Sequence, residues 1–307
     1  MSISLYLHPE MRYTIFQEEK MRCLMNHLGV TFVQSPADAS LLVGNRIPLL
    51  AELASRFGPK KQYLLWTHEP RFYLEASKWT TIKNCRVRTI SLQSGEVCFD
   101  NYYYARIPTE EDSQPFKSRL SKRLKRVVCV ATASRNPSCL LKRCGQGIDL
   151  NPLRTTIALD GYRQGFVDIH GRGWPSYVSQ SDSRSGNWAI AKYKILTNYD
   201  FNLCFENTLF PFYCSEKIWQ SIYCGCLPIY YGQKTIYEDF PRNSFIDYAD
   251  YPTPGALFEQ IQSMSDDEIT ERYNKCVKVF ESARSHAERS RVRASEYAIC
   301  EIHRMCA

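Results

Sequence analysis

The sequence lacks long hydrophobic runs, since no part of its 307 residues approaches the roughly 18 consecutive apolar residues of a membrane-spanning helix. Its opening, Met-Ser-Ile-Ser-Leu-Tyr-Leu-His-Pro-Glu, resembles neither a signal peptide nor a membrane anchor. It also has no Cys-x-x-Cys pair, and its 13 cysteines are scattered, several of them within apolar runs. This pattern favours buried, reduced thiols over a disulfide framework. We therefore expect a cytoplasmic protein.

The sequence shows no metal site and no common phosphate-binding loop. Its six histidines are dispersed and no Asp-x-Asp pair occurs, so no cluster of metal ligands can be recognised. The glycine pairs at 145–147 and 171–173 lack the third glycine of a dinucleotide fingerprint, and no Walker A sequence is present. We expect neither a metal nor a cofactor. If a nucleotide binds, cations of the protein must neutralise its phosphates.

The composition is that of a globular protein of moderate positive charge. Hydrophobic residues make up 44% of the chain and aromatic residues 13%, which is enough for a substantial core. The length is typical of two domains. The net charge of +7 suits an acidic ligand such as a nucleoside diphosphate and is too small to require nucleic acid.

Strand patterns alternate with helix patterns through most of the chain. Strands are predicted at 3–7, 30–33, 40–43, 63–67, 87–92, 127–131, 167–173, 201–205, 227–231 and 244–247. Helices are predicted at 14–28, near 48–57, after a cap at Asn151, after Ser215, from Thr253-Pro254, and after a capping box from Ser265 to Glu268. This alternation predicts an α/β fold with parallel sheets. We divide it into domains 1–115 and 116–307.

A basic segment lies at the predicted domain boundary. Residues 117–126 carry six cations in ten positions and follow an acidic run at 109–112. The simplest interpretation is a solvated helix or linker that crosses between the domains. A peripheral contact with an anionic membrane surface is the alternative.

The stretch 200–232 organises the rest of the chain. A short apolar run ends at Glu206 and Asn207, and Ser215 is then predicted to cap a helix with its hydroxyl group. A glycine ends that helix, and a second buried strand follows. In parallel sheets ligands bind at the carboxyl ends of strands, which is where these polar residues converge.

Two cations occupy positions that helices disfavour. Lys217 and Arg154 each lie in the first turn of a predicted helix, where a positive charge costs about 0.3–1 kcal/mol. An anion held between the two helix starts would make both positions favourable. Taken singly, each cation is more simply a solvated surface residue.

Three segments resemble a known family in order and spacing. They are Phe-Asn-Leu-Cys-Phe-Glu-Asn-Thr at 201–208, Tyr-Cys-Ser-Glu-Lys-Ile at 213–218 and Gly-Cys-Leu-Pro-Ile-Tyr-Tyr-Gly at 225–232. Together they are similar to the donor-binding signature of the α-1,3-fucosyltransferases of glycosyltransferase family 10. Thr208 and Ser215 each exchange one hydroxyl residue for the other relative to the family pattern.

The resemblance implies a fold, a reaction and a set of partners. The fold is GT-B-like, with two Rossmann-type domains facing across a cleft, the first binding the acceptor and the second binding GDP-fucose. The reaction moves L-fucose from GDP-fucose, with inversion and without a metal, to a glycan hydroxyl such as O3 of GlcNAc in a galactosyl-GlcNAc unit. Animal members carry a membrane anchor, so we expect a microbial or viral type here.

The resemblance also assigns roles to residues of the second domain. Arg154 and Lys217 match the pyrophosphate-binding arginine and lysine of the family, which favours the anion-binding interpretation. Asn207, Tyr213 and Glu216 match positions around the nucleotide. Helix-dipole stabilisation is an adequate alternative explanation for Glu216.

The catalytic carboxylates are expected at two positions. Trp-Thr-His-Glu-Pro-Arg at 66–71 resembles the family motif that carries the general base, and Glu69 matches its carboxylate. Without the resemblance, Glu69 would be taken for a turn cap. Positive charge develops on the sugar ring during such a transfer, and we expect Glu206 to ease it.

Three alternatives remain open at this point. One is a GT-B transferase that uses another nucleotide sugar. The second is a catalytically inactive glycan-binding module, which would bind an acceptor but release no GDP. The third is a nucleic-acid-binding protein that uses 117–126, which would bind with a steep salt dependence unaffected by GDP. We expect GDP-fucose and a glycan acceptor as partners, and no nucleic acid.

Overall fold

The structure is a computed structural model, and it describes residues 3–11, 14–74, 77–93, 95–105, 124–134, 141–182 and 188–306. The chain divides into two compact units: Met1–Phe99 with Glu288–Ala307, and Asp100–Ala287. The predicted boundary between 115 and 116 lies outside the described residues, as does most of the basic segment 117–126. The last 20 residues, which sequence analysis placed in the second domain, belong to the first unit.

The first unit is built on a six-stranded sheet. Its strands are β1 (Ile3–Leu7), β2 (Val30–Phe32), β3 (Leu41–Gly44), β4 (Gln62–Thr67), β5 (Trp79–Ile82) and β6 (Cys85–Ser91). They lie in the order β2-β1-β3-β4-β6-β5, and all neighbours are parallel except β5 and β6. Helices α1 (Glu19–His27) and α2 (Ile47–Phe57) connect parallel strands. The five strands predicted for this region are all present.

Two details of the first unit differ from prediction. The predicted helix 14–28 is a short 3-10 turn, Ile15–Gln17, followed by α1, because Glu18 between them has an extended backbone. Strand β5 was not predicted. It pairs with β6 through a tight turn in which Lys83 and Asn84 both have positive φ angles, and neither is the glycine that usually marks such a turn.

The second unit contains a small hairpin and a parallel sheet. After β7 (Val127–Val130) comes the hairpin of β8 (Lys142–Arg143) and β9 (Gln146–Gly147). The sheet continues with β10 (Val167–His170), β11 (Phe201–Leu203), β12 (Leu227–Tyr230) and β13 (Ile246–Asp247). Its order is β10-β7-β11-β12-β13, with all neighbours parallel.

Five further α-helices lie in the described part of the chain. They are α3 (Asn151–Arg163), α4 (Trp188–Leu196), α5 (Glu216–Tyr223), α6 (Pro254–Ser263) and α7 (Asp266–Cys306). Helix α4 was not predicted. Asn151 was predicted to cap α3 but is its first residue, and Asp149 Oδ1 accepts a hydrogen bond from its backbone N–H at 3.0 Å. Within the described part of the chain, none of the helices is both long and apolar enough to cross a bilayer.

A glycine turn ends β10, as predicted. Gly171 has a φ of +127°, and a Cβ atom placed on it would lie 2.1 Å from the carbonyl oxygen of Ala131. Only glycine allows the backbone to approach this closely. The turn therefore holds the carboxyl end of β10 against the residue that follows β7.

The end of α7 is tied to the sheet of the first unit by a buried ion-pair cluster. Arg88 of β6 is only 3% exposed. Its guanidinium donates to Glu301 at 2.7 Å and to Glu96 at 2.8 Å, and the Tyr297 hydroxyl donates to Glu96 at 2.6 Å. Burial opposes the charge of Arg88, but the two carboxylates outweigh it and raise its pKa.

We expect Arg88→Met to destabilise the protein by about 3–5 kcal/mol, because the change leaves two carboxylates without their buried cation. Chemical denaturation would measure the loss. Arg86→Met is the matched control, since Arg86 is exposed and stacks over the Trp79 ring at 4.0 Å, a contact worth about 1 kcal/mol or less. Equal losses for the two variants would contradict the importance of the cluster.

Candidate active site

Polar residues of the second unit meet at the carboxyl edge of its sheet. The chain leaves β7, passes through α3 to β10 on one side, and returns through α4 to β11 on the other side of β7. Such a reversal is the topological switch point, where parallel α/β sheets leave a crevice for ligands. The residues that follow β11 and the start of α5 lie beside this point.

Glu206 is at the centre of this edge. Its side chain is 0% exposed. One carboxylate oxygen accepts from the backbone N–H of Ser215 at 2.8 Å and from the Tyr230 hydroxyl at 3.3 Å. The other accepts from the Ser215 hydroxyl at 2.6 Å and from Lys217 Nζ at 3.3 Å. Burial, and then the charge of Glu206, raise the pKa of Tyr230 well above its usual value, so Tyr230 remains a donor.

The predicted capping role of the Ser215 hydroxyl is wrong. Ser215 does occupy the position before α5, but its side chain makes no capping hydrogen bond. The hydroxyl instead donates to Glu206 and accepts from Lys217 Nζ at 2.8 Å. A hydrogen bond to a charged carboxylate is stronger than one to a backbone N–H, and nothing in the local sequence reveals that partner.

Arg154 connects α3 to the residues after β11. It is 5% exposed, and its guanidinium donates to the Phe205 carbonyl oxygen at 3.1 Å, to Asn207 Oδ1 at 3.4 Å and to Asn151 Oδ1 at 2.8 Å. The amide of Asn207 in turn donates to the Tyr213 hydroxyl at 3.5 Å. Among the described residues Arg154 Nε has no hydrogen-bond partner. The interpretation of Arg154 as a solvated surface residue is therefore wrong.

Lys217 is also largely buried, with 15% of its side chain exposed. Like Arg154 it lies in the first turn of its helix, as predicted, but it is held by oxygen atoms of the protein. The interpretation of Lys217 as a solvated residue is wrong as well. The two cations that sequence analysis singled out are thus both built into the carboxyl edge of one sheet.

A third cation, Lys192 of α4, was missed by sequence analysis. It is 7% exposed, and burial lowers its pKa. The charge of Glu216 opposes that shift, whereas the charge of Lys217 adds to it. Lys192 therefore lies close enough to both residues at the start of α5 to interact with their charges. A lysine inside the apolar run Trp-Ala-Ile-Ala-Lys-Tyr was the available clue.

Thr208 is a second missed residue at this edge. It is 1% exposed, and in the described part of the chain its hydroxyl oxygen has no hydrogen-bond partner. Its place directly after Asn207 puts it beside the Arg154 group. Thr208 Oγ1 and Arg154 Nε therefore leave hydrogen-bonding capacity at this edge that water or a polar ligand can use.

Glu69 lies at the carboxyl end of β4, in the first unit. Its backbone is extended and precedes the 3-10 helix Pro70–Phe72. Thr67 Oγ1 accepts from the Glu69 backbone N–H at 3.2 Å and donates to its carbonyl oxygen at 3.0 Å. The Glu69 side chain makes no capping hydrogen bond to that 3-10 helix, so the turn-cap interpretation is not supported.

The structure brings six of the seven predicted site residues together within the second unit. Glu206, Arg154, Asn207, Tyr213, Glu216 and Lys217 lie in the second unit, around the start of α5 and the end of β11. Glu69 lies in the first unit. Each unit carries its candidate residues at the carboxyl edge of its own parallel sheet, where ligands of such sheets bind.

Two Rossmann-type α/β units, each with polar residues at the carboxyl edge of its parallel sheet, make up a GT-B-like fold, and the predicted fold class is confirmed. The structure resembles a crystal structure of an alpha1,3-fucosyltransferase with GDP-fucose, with a TM-score of 0.52 and 15% sequence identity over 92% of this chain and 90% of that one. At this identity the likeness speaks for the fold alone.

Sequence comparisons match part of the chain to a family. Residues 163–307 match the model of the glycosyltransferase family 10 (fucosyltransferase) C-terminal region. The chain is 29% identical to GDP-fucose protein O-fucosyltransferase 3 of Gallus gallus over 67% of its own length and 40% of that protein. It is 32% identical to Alpha-(1,3)-fucosyltransferase B of Drosophila melanogaster over 35% of its length and 22% of that protein. The match to glycosyltransferase family 10 thus covers just under half of the chain, and the chain spans less than half of the curated relatives it matches.

We expect Ser215→Asp to destabilise the protein by at least about 3 kcal/mol, because it places a second carboxylate beside the fully buried Glu206. Aspartate is among the best capping residues, so a capping role would predict no loss. Thr253→Asp is the control: the exposed Thr253 does cap α6, accepting from the Ala256 N–H at 3.2 Å, and should change by about 1 kcal/mol or less. Thermal and chemical denaturation of both variants would decide, and a stable Ser215→Asp protein would contradict this assignment.

Proposed function

We propose that the protein transfers L-fucose from GDP-fucose to a hydroxyl group of a glycan, with inversion at the anomeric carbon. The observation that carries the proposal is the group of buried cations, Arg154, Lys192 and Lys217, at the switch point of the second sheet. Burying cations is unfavourable unless anions compensate. A diphosphate is a compensating anion of the right kind, and the match to glycosyltransferase family 10 supports GDP-fucose as its source.

The donor is held by the second unit in this proposal. Arg154 and Lys217 bind the diphosphate, and the unpartnered Arg154 Nε is available for one of its oxygens. Asn207, Tyr213 and Glu216 surround the rest of the nucleotide. Because these cations neutralise the phosphates and stabilise the charge on the departing GDP, donor binding needs no divalent metal.

Glu206 acts as a positioning residue rather than facing the sugar. It was expected to ease positive charge on the fucose ring, but its full burial and its four hydrogen bonds are better suited to another task. It holds Ser215 and orients Lys217 at the start of α5. The role we now propose for Glu206 is therefore to fix the phosphate-binding lysine.

Glu69 acts as the general base in this mechanism. Its carboxylate takes the proton of the acceptor hydroxyl while that oxygen forms a bond to the anomeric carbon of fucose. The bond between the anomeric carbon and the phosphate oxygen breaks, and GDP leaves with the electron pair. The extended backbone at Glu69, fixed by Thr67, presents the residue at the sheet edge.

Two acceptor classes are supported to different degrees. O3 of GlcNAc in a galactosyl-GlcNAc unit is the first candidate, because the donor motifs resemble those of α-1,3-fucosyltransferases. A hydroxyl group of a protein is the second, because the chain is similar to a GDP-fucose protein O-fucosyltransferase. Release of GDP from GDP-fucose, measured with both acceptor classes and with other nucleotide sugars, tests the proposal. Transfer from another nucleotide sugar only would replace GDP-fucose as the proposed donor. Binding of an acceptor without release of GDP would replace the proposed transferase with a glycan-binding module.

A cytoplasmic location is also part of the proposal. It is supported by the cysteines, since Cys129, Cys204 and Cys226 lie buried in the core of the second unit. Burial raises the pKa of the Cys129 thiol to about 11 and that of Cys204 to about 12, which keeps both thiols protonated and unreactive. A peripheral membrane contact through 117–126 remains a separate proposal.

Binding of GDP should not require a metal but should require Lys217. We expect the Kd for GDP to be unchanged by EDTA, and Lys217→Met to weaken binding by about 2–3 kcal/mol through loss of a charge-assisted contact. Calorimetric titration would measure both, on protein shown to be folded. The exposed Lys234 of the same unit serves as control, and Lys234→Met should bind GDP normally. Loss of binding on chelation, or normal binding by Lys217→Met, would contradict this donor site.

Glu69→Gln should lower kcat by about 10²–10⁴ and leave the Kd for GDP nearly unchanged, because glutamine keeps the size of the side chain but cannot accept the proton. Initial rates of GDP release at saturating donor would measure the effect. Glu52→Gln, which changes an exposed carboxylate of α2, should behave like the parent. A folded Glu69→Gln protein with near-parental kcat would show that another residue is the base, and His68 would be tested next.

A further inference from the structure

Gln93 carries a buried amide group for which the described residues supply no hydrogen-bond partner. The side chain is 1% exposed, and neither Nε2 nor Oε1 has a partner among the described residues. An unpartnered buried amide destabilises a protein, because both its donor and its acceptor have lost their bonds to water. Buried amides of native proteins are hydrogen-bonded, and a water molecule or a ligand can supply the bonds that the described residues do not.

Gln93 and the candidate general base follow neighbouring strands of the first sheet. Strands β4 and β6 are parallel neighbours, paired up to Thr67 and Ser91, and the Leu92 N–H donates to the Thr67 carbonyl oxygen at 2.9 Å. Glu69 and Gln93 each stand two residues beyond this last pair. Adjacent strands are about 4.8 Å apart, so the two residues leave the sheet side by side at its carboxyl edge.

The loop that contains Gln93 holds it at this edge. The Cys98 N–H donates to the Leu92 carbonyl oxygen at 3.1 Å, which closes the loop directly behind the strand. Val97 and Cys98 are each 1% exposed and anchor the loop in the core. Gln93 is therefore fixed in place, as a residue that positions a ligand must be.

The opposite side of β4 has a matching feature. Asn45 follows β3, the other neighbour of β4, and the pairing of Gly44 with Leu65 brings it to the same edge. Asn45 is 7% exposed, and within the described residues its Oδ1 has no hydrogen-bond partner. The end of the strand that leads to Glu69 is thus flanked on both sides by a buried amide with unused hydrogen-bonding capacity.

The chemistry of these groups indicates the class of ligand. Amides are uncharged and can donate and accept at the same time, which matches sugar hydroxyls, since each of those also donates and accepts. An anionic ligand would call for cations instead. We propose that Gln93 binds a hydroxyl group of the acceptor sugar next to the reacting one and orients the acceptor for Glu69. This inference rests on the proposed function.

The variant Gln93→Met keeps the length of the side chain and removes both polar atoms. Its Tm and its KM for the acceptor together distinguish an amide that binds a ligand from one that only supports the fold. We expect a Tm equal to or above that of the parent, because an unpartnered amide is replaced by an apolar group. We expect KM for N-acetyllactosamine to rise about 10-fold or more, with kcat changed by less than about 3-fold and the Kd for GDP unchanged. Gln62→Met, at the exposed amino end of β4, should leave all these values unchanged.

Monodeoxy derivatives of N-acetyllactosamine then identify the hydroxyl. With the derivative that lacks the hydroxyl bound by Gln93, the parent and Gln93→Met should have the same KM, because neither can make the bond. If Gln93→Met does not fold, Gln93→Asn, which keeps the amide but withdraws it by one methylene, should show the same rise in KM.

The outcomes distinguish this inference from the function on which it rests. A parental KM in Gln93→Met, or in Gln93→Asn where the methionine variant does not fold, would overturn the inference while transfer by the parent upholds the function. A raised Tm with a parental KM would show that the amide only binds buried water. Absence of GDP release by the parent with every acceptor, protein hydroxyls included, would overturn the proposed function and this inference together.

Discussion

The second unit depends on one buried carboxylate, that of Glu206. It follows β11, accepts from the residue that precedes α5 and from Tyr230 of β12, and so joins two neighbouring strands to a helix start at a single point. The same carboxylate fixes Lys217. A buried charge is tolerated only when its hydrogen bonds are satisfied, and here four donors satisfy it. The position of Lys217 is therefore set by the requirement to keep that charge compensated.

Much of the fold could be predicted from local patterns, because parallel strands buried on both faces are continuous apolar runs. The failures have specific physical reasons. Strand β5 was missed because its turn uses Lys83 and Asn84 where a glycine would have marked it. Helix α4 has almost no separation of polar and apolar faces, so no periodicity revealed it. The return of the end of α7 to the first unit depends on long-range pairing with Arg88, which local sequence does not encode.

The candidate site also contains residues that the sequence reveals and residues that it does not. Lys217 and Arg154 were recognisable because cations in a first helical turn are locally unfavourable, and an unfavourable choice of residue needs a reason. The partner of Ser215 was not recognisable, because a serine before a helix has the same sequence pattern whether it caps or binds a distant carboxylate. Gln93 is conspicuous only once its burial is known, and the sequence marks Lys192 only as a lysine within an apolar run. Sequence patterns thus identified the cations that are unfavourable in a first helical turn. The structure was needed to identify the polar side chains that are unexpectedly buried.

The shared use of α7 by both units has a consequence for the order in which the protein matures. The second unit is continuous in the chain, whereas the first is assembled from Met1–Phe99 and Glu288–Ala307. A ribosome releases the first of these segments long before the second. Until Glu301 emerges from the ribosome, Arg88 lacks one of its two carboxylate partners. The sheet whose strands are synthesised first is therefore completed last. Premature termination near residue 290 would spare every candidate site residue and still leave the first unit unfinished.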